Sequence, residues 1–131
     1  MADLGEQATL PMAAISKAMI RLHKEQFGRG PTRTRSYFAG PDTLVCVLDD
    51  VLLPAERKMV DMGDAGRVRE SRISFQAATA EEFVSAVEHI VGRKVRAFAS
   101  GVDPAADVAF ETFSFESPAS SRGEPHGTDG S

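Results

Sequence analysis

Apolar residues recur at helical spacing through the first third of the chain. They share one predicted face, with most of the charged residues between them on other faces: Met12, Ile15, Met19, Leu22 and Phe27. Pro11 comes just before this stripe, and proline suits the first turn of a helix because the amide it lacks would have no intrahelical partner. Gly28 follows the stripe. The pattern predicts an amphipathic helix that starts at Pro11 and ends at Gly28.

Two runs of β-favouring residues follow the helix. Residues 32–39 and 43–48 are separated by the turn sequence Gly40-Pro41-Asp42, which predicts a hairpin. Side chains alternate along a strand, so Arg33, Arg35 and Tyr37 fall on one face of the first strand. The second strand is apolar throughout, and we expect both of its faces to be covered.

A short helix and a longer helical region come next. Pro54 suits the first turn of the short helix, and Gly63 ends it. Asp64 is a candidate N-cap for the helix that follows.

The secondary structure of residues 71–77 stays open between helix and strand, because Ile73, Phe75 and Ala77 also have the alternate spacing of a strand. The sequence Thr79-Ala80-Glu81-Glu82 has the pattern of a capping box, so we expect a helix to begin or restart there. Gly92 is the expected stop of that helix.

Residues 94–100 and 108–115 form a second predicted strand pair. The element order α-β-β-α-α-β-β predicts an α+β fold, in which helices pack on a mainly antiparallel four-stranded sheet in a single two-layer domain. We expect residues 1–10 to be a flexible leader, residues 11–116 to be the domain, and residues 117–131, which are nearly devoid of apolar side chains, to be a disordered tail.

Composition and charge narrow the function classes. The net charge is −4, but residues 12–116 hold 14 basic and 15 acidic residues, so the domain is nearly neutral and gives no general attraction for polyanions. Apolar runs are far shorter than the roughly 20 residues that span a bilayer, and we expect no membrane insertion. The single cysteine, Cys46, and the absence of a signal-like start favour a cytoplasmic location.

The junction between the first helix and the first strand is the candidate binding site. Its glycine-rich backbone exposes amides, and Arg33 and Arg35 would lie about 7 Å apart on one strand face. Arginine suits carboxylate, bicarbonate or phosphate. The candidate anion-binding residues are Gly28, Arg29, Gly30, Arg33 and Arg35. The simpler interpretation is a helix stop followed by a solvated edge strand, and we favour it.

Further basic residues suggest a nucleic-acid-binding function for this region. Arg93, Lys94 and Arg96 would add phosphate contacts, and Tyr37 would stack on a base. A neutral domain with one tyrosine and no tryptophan lacks the broad basic footprint of nucleic-acid-binding proteins, so the sequence argues against this function.

The remaining reactive side chains do not form a recognisable catalytic or metal motif. The aspartate pairs Asp49 with Asp50 and Asp103 with Asp107 are typical of turn caps. Three histidines and one cysteine lack zinc-site spacing, and the candidate nucleophiles lack a known motif: His23, His89, His126, Cys46, Ser16 and Ser100. We expect no metal, no cofactor and no enzyme activity.

Two helix surfaces have simple interpretations. Arg67, Arg69, Glu70 and Arg72 indicate a solvated charged face. The apolar stripe of the first helix indicates core. A small domain with a doubly apolar strand still needs cover on one surface, so we expect a homodimer.

Four segments resemble a known family in their order and spacing: Ile15-Ser16-Lys17-Ala18-Met19, Phe27-Gly28-Arg29-Gly30-Pro31, Leu53-Pro54-Ala55-Glu56-Arg57 and Gly92-Arg93-Lys94-Val95-Arg96-Ala97-Phe98. They resemble the MpsC-type family of small bacterial proteins, named for a sodium-linked system that generates membrane potential. The resemblance covers residues 12–116. It implies that residues 64–77 are helical and that the protein associates with transporters linked to bicarbonate supply or membrane potential. It supplies no catalytic residues.

These observations lead to one expected function and two alternatives. We expect a non-catalytic accessory or regulatory protein of a membrane transport or membrane-potential system, with a transporter subunit as its partner. The first alternative is a binding module for a small anion or nucleotide at residues 28–35. The second is a nucleic-acid-binding module.

Overall fold

The computed structural model describes residues 2–117 of the chain. The elements are α1 (Ala2–Phe27), β1 (Arg33–Phe38), β2 (Thr43–Asp49), α2 (Pro54–Asp61), α3 (Ala65–Val91), β3 (Val95–Asp103) and β4 (Val108–Phe115). Their order confirms the predicted α+β fold. The predicted disordered tail, apart from Ser117, lies outside the described residues.

The first helix starts earlier than the sequence predicts. α1 begins at Ala2 and carries Pro11 in its interior, so the predicted start at Pro11 is wrong. Residues 2–10 include several good helix formers, and they continue the helix although the proline costs one backbone hydrogen bond. The predicted end is confirmed, because the chain leaves the helix at Gly28 with a φ of 87°.

The four strands form one antiparallel sheet in the order β1-β2-β4-β3. Each predicted strand pair is a hairpin, and β4 inserts between β2 and β3. In the centre of the sheet, Leu44 lies opposite Phe113 and Cys46 lies opposite Glu111. β4 therefore holds the two hairpins together.

One face of the sheet, here called the inner face, packs on α1 and α3. Its β2 side chains Leu44, Cys46 and Leu48 are completely buried. The other β2 side chains, such as Val45 and Val47, are only half-buried. Within residues 2–117 only one face of β2 is fully covered, and cover of the other face by a second subunit stays a prediction.

The region between Asp64 and Gly92 is one continuous helix. α3 includes residues 71–77, as the family resemblance implies, and ends at Gly92 in a left-handed conformation. The predicted restart at Thr79 is wrong. The Thr79 hydroxyl donates to the carbonyl of Phe75, one turn back, instead of capping a new helix.

Candidate functional site

The glycines of the predicted anion site have structural roles in the junction between α1 and β1. Gly28 takes a left-handed conformation that ends α1. A Cβ atom on Gly30 would lie 3.1 Å from the Ile20 carbonyl oxygen and 3.2 Å from the Ile20 Cγ2. Gly30 therefore allows the chain to turn back closely over α1.

Two arginines of this junction already bind carboxylates. One Arg29 nitrogen donates to the Asp50 carbonyl oxygen at 3.1 Å and to the Asp50 carboxylate at 3.2 Å. Arg35 donates to the Asp49 carboxylate at 2.8 Å. An incoming anion would have to compete with these charge-assisted bonds. Arg33 is exposed on the same sheet face as Arg35, and the anion site stays a prediction.

The other predicted basic contacts lie apart from this junction. Arg93 donates to the Pro41 carbonyl at 2.8 Å and to the Asp42 carboxylate at 2.5 Å, which ties the start of β3 to the turn after β1. Arg96 bonds to the Ser114 hydroxyl at 3.1 Å, and Lys94 is exposed. Because β1 and β3 are opposite sheet edges, about 14 Å apart, Arg33 and Arg96 do not converge.

A buried polar cluster joins four elements on the inner face. It consists of His23, Gln76, Ser100 and Glu111, from α1, α3, β3 and β4 respectively. Glu111 is at its centre. One carboxylate oxygen lies 3.0 Å from the His23 Nε2 and 3.2 Å from the Gln76 nitrogen, and the other accepts from the Ser100 hydroxyl at 2.6 Å.

The arrangement of these hydrogen bonds favours a structural role for the buried polar cluster. The Glu111 carboxylate that accepts from Ser100 is completely buried and is already shared with His23 and Gln76, which is typical of a carboxylate that holds elements together. Two buried atoms of the cluster, His23 Nδ1 and Gln76 Oε1, lack a hydrogen-bond partner among the described residues. The cluster fixes both long helices to the sheet.

Glu111 was not predicted as a buried polar residue, although its place in β4 indicates one. In β4, Ala109, Phe113 and Phe115 share the buried parity of the strand with Glu111. A charged residue at that parity indicates a buried polar partner on a neighbouring element.

A second buried ion pair corrects the interpretation of the charged helix. Arg72 was expected on a solvated face, but it is only 1% exposed. Its guanidinium binds both Glu56 carboxylate oxygens, at 2.8 and 2.6 Å, and the Val51 carbonyl at 3.0 Å. It also lies over the Phe27 ring, 3.8 Å from the centroid.

This ion pair sets the charge state of Glu56. Burial opposes ionisation, but hydrogen bonds from Arg72 and from the Leu53 N–H, together with the charge of Arg72, lower the pKa of the Glu56 carboxyl. α2 has no buried residue of its own. The ion pair is therefore a main attachment of α2 to α3.

The aspartates and candidate nucleophiles have local structural partners. Asp107 accepts from the backbone N–H groups of Val51 and Leu52, at 2.8 and 2.9 Å, and Asp103 caps the turn before β4. The Ser16 hydroxyl lies 2.7 Å from that of Ser36. Among residues 2–117, no group of three or more His, Cys, Asp or Glu side chains is placed to hold a metal ion.

Cys46 is held in its unreactive form. Burial raises the pKa of its thiol to about 12, although the Ser36 hydroxyl, which donates to the sulfur at 3.6 Å, acts in the opposite direction. The thiolate is the nucleophilic form of cysteine, so this side chain is a poor nucleophile at neutral pH.

The face of the sheet opposite the inner face, here called the outer face, carries exposed apolar side chains. Phe110 is 42% exposed and Tyr37 is 51% exposed, and both flank the half-buried Val45 and Val47. Within residues 2–117, no helix packs over this face. It is an apolar surface rimmed by the Arg35–Asp49 ion pair.

Comparisons with known proteins identify the family. No helix between residues 2 and 117 has the length and apolar character that crossing a membrane requires. No curated protein and no solved structure gives a significant match. The sequence model of the family described as "Na+-translocating membrane potential-generating system (MpsC)" matches residues 11–117. This match spans most of the chain, and the protein belongs to the MpsC family.

Proposed function

We propose that this protein is a non-catalytic accessory or regulatory component of a Na+-translocating, membrane-potential-generating system. It acts by binding a membrane subunit of that system through its outer face. The family match supplies the system. The observation that carries the mode of action is the uncovered outer face, because an apolar sheet surface is a typical site of protein–protein contact.

The composition of the outer face suits such a contact. Val45, Val47 and Phe110 form most of its centre, where Thr112 of β4 adds one hydroxyl beside Val45. Tyr37 adds an amphipathic ring toward one edge, and the Arg35–Asp49 ion pair lies at the margin. An apolar centre with a polar rim is the usual anatomy of a protein interface.

The non-catalytic part of the proposal is supported by the environments of the reactive side chains. The Cys46 thiol is buried and protonated, the Ser16 hydroxyl is bonded to Ser36, and the Ser100 hydroxyl donates to a carboxylate. Among the described residues, none of these side chains belongs to a recognised arrangement of nucleophile, base and orienting group. We also propose a cytoplasmic location beside the membrane, where a reduced Cys46 is stable.

Co-purification tests this proposal. The tagged full chain is recovered from its own cells after mild cross-linking and detergent extraction, and bound membrane subunits are identified by mass spectrometry. We expect the wild type to recover a membrane subunit and Phe110→Lys to recover at least about 10-fold less, because a charge enters the apolar centre. Met62→Lys is the matched control, since Met62 is 74% exposed at the end of α2.

Two results would contradict the proposal. Repeated recovery of proteins that lack membrane-spanning segments would overturn the accessory role. Equal recovery of the membrane subunit by the wild type and Phe110→Lys would show that the outer face is not the contact surface.

A further inference from the structure

β1 is an edge strand with open hydrogen-bonding groups. Among residues 2–117 it pairs with β2 alone, and all six of its residues keep a regular register with that strand. The Ala39 N–H donates to the Thr43 carbonyl at 2.8 Å. Because hydrogen-bonded pairs alternate in an antiparallel ladder, the odd-numbered residues of β1 face β2. The backbone groups of Thr34, Ser36 and Phe38 therefore point out of the sheet.

The usual protection of an edge strand is weak in β1. The strand contains no proline, lysine or bulge, and these are the devices that normally block pairing with another chain. The charges of its two arginines are the protection that the strand still has. Arg35 is bound to the Asp49 carboxylate, so its charge is largely balanced, and Arg33 lies at the end of the strand.

We propose that two copies of this chain form a symmetric dimer through antiparallel pairing of their β1 strands, with Ser36 opposite Ser36 of the partner subunit. This register joins the outward-pointing backbone groups of both strands. It also keeps the inner and outer faces of the two sheets continuous, because opposed residues have the same parity.

The charges on β1 favour this register over the register centred one residue earlier. With Ser36 on the two-fold axis, Arg35 lies opposite Tyr37 of the partner subunit, where a guanidinium and an aromatic ring attract. A register centred one residue earlier would place Arg35 opposite Arg35 of the partner subunit. Like charges directly opposed across strands are destabilising.

A groove beside the edge provides a place for a side chain of the second copy. The groove has a volume of ≈ 600 Å³. Its lining is mainly apolar and includes Met12, Tyr37, Phe38, Pro41 and Val91.

The groove and an exposed isoleucine lie on opposite sides of the proposed axis. Ser16 of α1 contacts Ser36, so α1 passes the axis near Ser16. Met12 precedes Ser16 by one helical turn, and Ile20, which is 38% exposed, follows it by one turn. The two-fold rotation therefore brings Ile20 of the partner subunit toward Met12 and into the groove.

The proposed interface is small. A six-residue edge and one isoleucine in each groove suggest a dissociation constant in the micromolar range. Sedimentation velocity of the full chain over a range of about 1–300 μM should therefore show a monomer–dimer equilibrium.

Proline at the axis tests the edge pairing. The Ser36 N–H points outward, so Ser36→Pro removes hydrogen bonds between subunits and leaves the β1–β2 ladder intact. We expect the dissociation constant to rise about 30-fold or more, from the loss of two hydrogen bonds per dimer. Ser36→Ala is the matched control: it loses the bond to Ser16 but keeps the backbone N–H, and it should remain dimeric.

Ile20→Lys tests the groove independently and does not touch the strand. We expect at least about a 10-fold weaker dimer, whereas Ile73→Lys, at an exposed site on α3, should leave the dimer unchanged. Circular dichroism checks that each variant is folded. If Ser36→Pro does not fold, Ile20→Lys decides the question.

Disulfide formation tests the register. Mixed Arg35→Cys and Tyr37→Cys chains should form a disulfide heterodimer faster than either variant forms a homodimer, and the buried Cys46 should not interfere. A strict monomer at the highest concentration would overturn the proposal. So would a dimer unaffected by both Ser36→Pro and Ile20→Lys.

Discussion

Glu111 is a carboxylate on the buried side of a central strand, where ionised groups are costly unless they are hydrogen-bonded. Glu111→Ala would leave His23, Gln76 and Ser100 without their shared acceptor. We expect a loss of about 2–4 kcal/mol in the free energy of unfolding, measured with urea. Glu111→Gln keeps the volume and part of the hydrogen bonding, so it should cost less.

Glu70 provides the control for this prediction. It is exposed on α3, and Glu70→Ala should change the free energy of unfolding by less than about 0.5 kcal/mol. Equal effects of the two alanine substitutions would show that the buried polar cluster contributes no stability.

Cys46 predicts a loss of stability in alkali. Burial raises the pKa of its thiol in the folded state from 9.0 to about 12. The contribution of the buried, protonated thiol to the free energy of unfolding is therefore complete below the unfolded pKa and is lost as pH rises toward the folded pKa. The wild type should lose about 1.4 kcal/mol more than Cys46→Ala between about pH 8 and pH 10. Urea unfolding at each pH measures the difference, and parallel pH curves for the two proteins would refute it.

At the residue scale, the sequence predicts backbone conformation better than it predicts which side chains contact each other. Gly28 and Gly92 were predicted as helix stops because glycine favours the left-handed conformation that both adopt. The burial of Arg72 was not predicted. Its carboxylate partner, Glu56, is 16 positions away on another helix, and helical periodicity carries no information about what packs against a charged face.

At the element scale, the Arg72–Glu56 ion pair is a main attachment of α2, beside the half-buried Met59 and Val60 that pack against the core. Arg72→Met would leave Glu56 without its guanidinium, and we expect a cost of about 2–3 kcal/mol, less than for a fully buried pair because Glu56 is partly exposed. Amide hydrogen exchange in α2 should accelerate more than in α1. Arg67→Met, at an exposed site on α3, is the control, and equal exchange in both variants would contradict the assigned role.

The same ion pair predicts an acid-sensitive attachment of α2. The pKa of Glu56 is lowered in the folded protein, so its stabilising effect is present above the ordinary value of 4.5 and is lost as pH falls through the folded pKa. The difference in unfolding free energy between the wild type and Arg72→Met should therefore shrink on acidification. A difference that stays constant down to about pH 2 would count against this linkage.

Element boundaries were predicted where local chemistry decides them and missed where packing decides. Pro54 and Gly63 bracket α2 as expected. The restart expected at Thr79 is absent, because the buried side of α3 continues without interruption from Gln76 to Phe83 and packs on the sheet. Tertiary packing thus overrides a local capping pattern.

At the scale of the whole molecule, the two faces of the sheet should differ in their tolerance of substitution. Phe113 is completely buried on the inner face, and Phe113→Ala should cost about 3–4 kcal/mol in urea unfolding. Phe110→Lys on the outer face should cost less than about 1 kcal/mol. Comparable losses would mean that the outer face is part of the folding core, and that its role in the proposed contact needs a different explanation.

The fold class was predictable from element order, but the strand order was not. Local pattern predicts the β1–β2 and β3–β4 hairpins, since each has a turn between two runs of β-favouring residues. The pairing of β2 with β4 joins Cys46 to Glu111 across a long stretch of chain. No local turn specifies it, and shared burial against α1 and α3 decides it.

The position of β4 has a consequence for how the protein is made. A growing chain emerges from its N-terminus, and β4 is the last of the four strands to be synthesised although it lies inside the sheet. Until β4 is synthesised, β3 has no neighbouring strand and β2 has an open edge. His23 also lacks its hydrogen-bond partner Glu111, which lies 88 positions later in the sequence. From the synthesis of β2 to that of β4, the nascent polypeptide therefore exposes an incomplete sheet edge, and we expect it to benefit from chaperone protection on the ribosome.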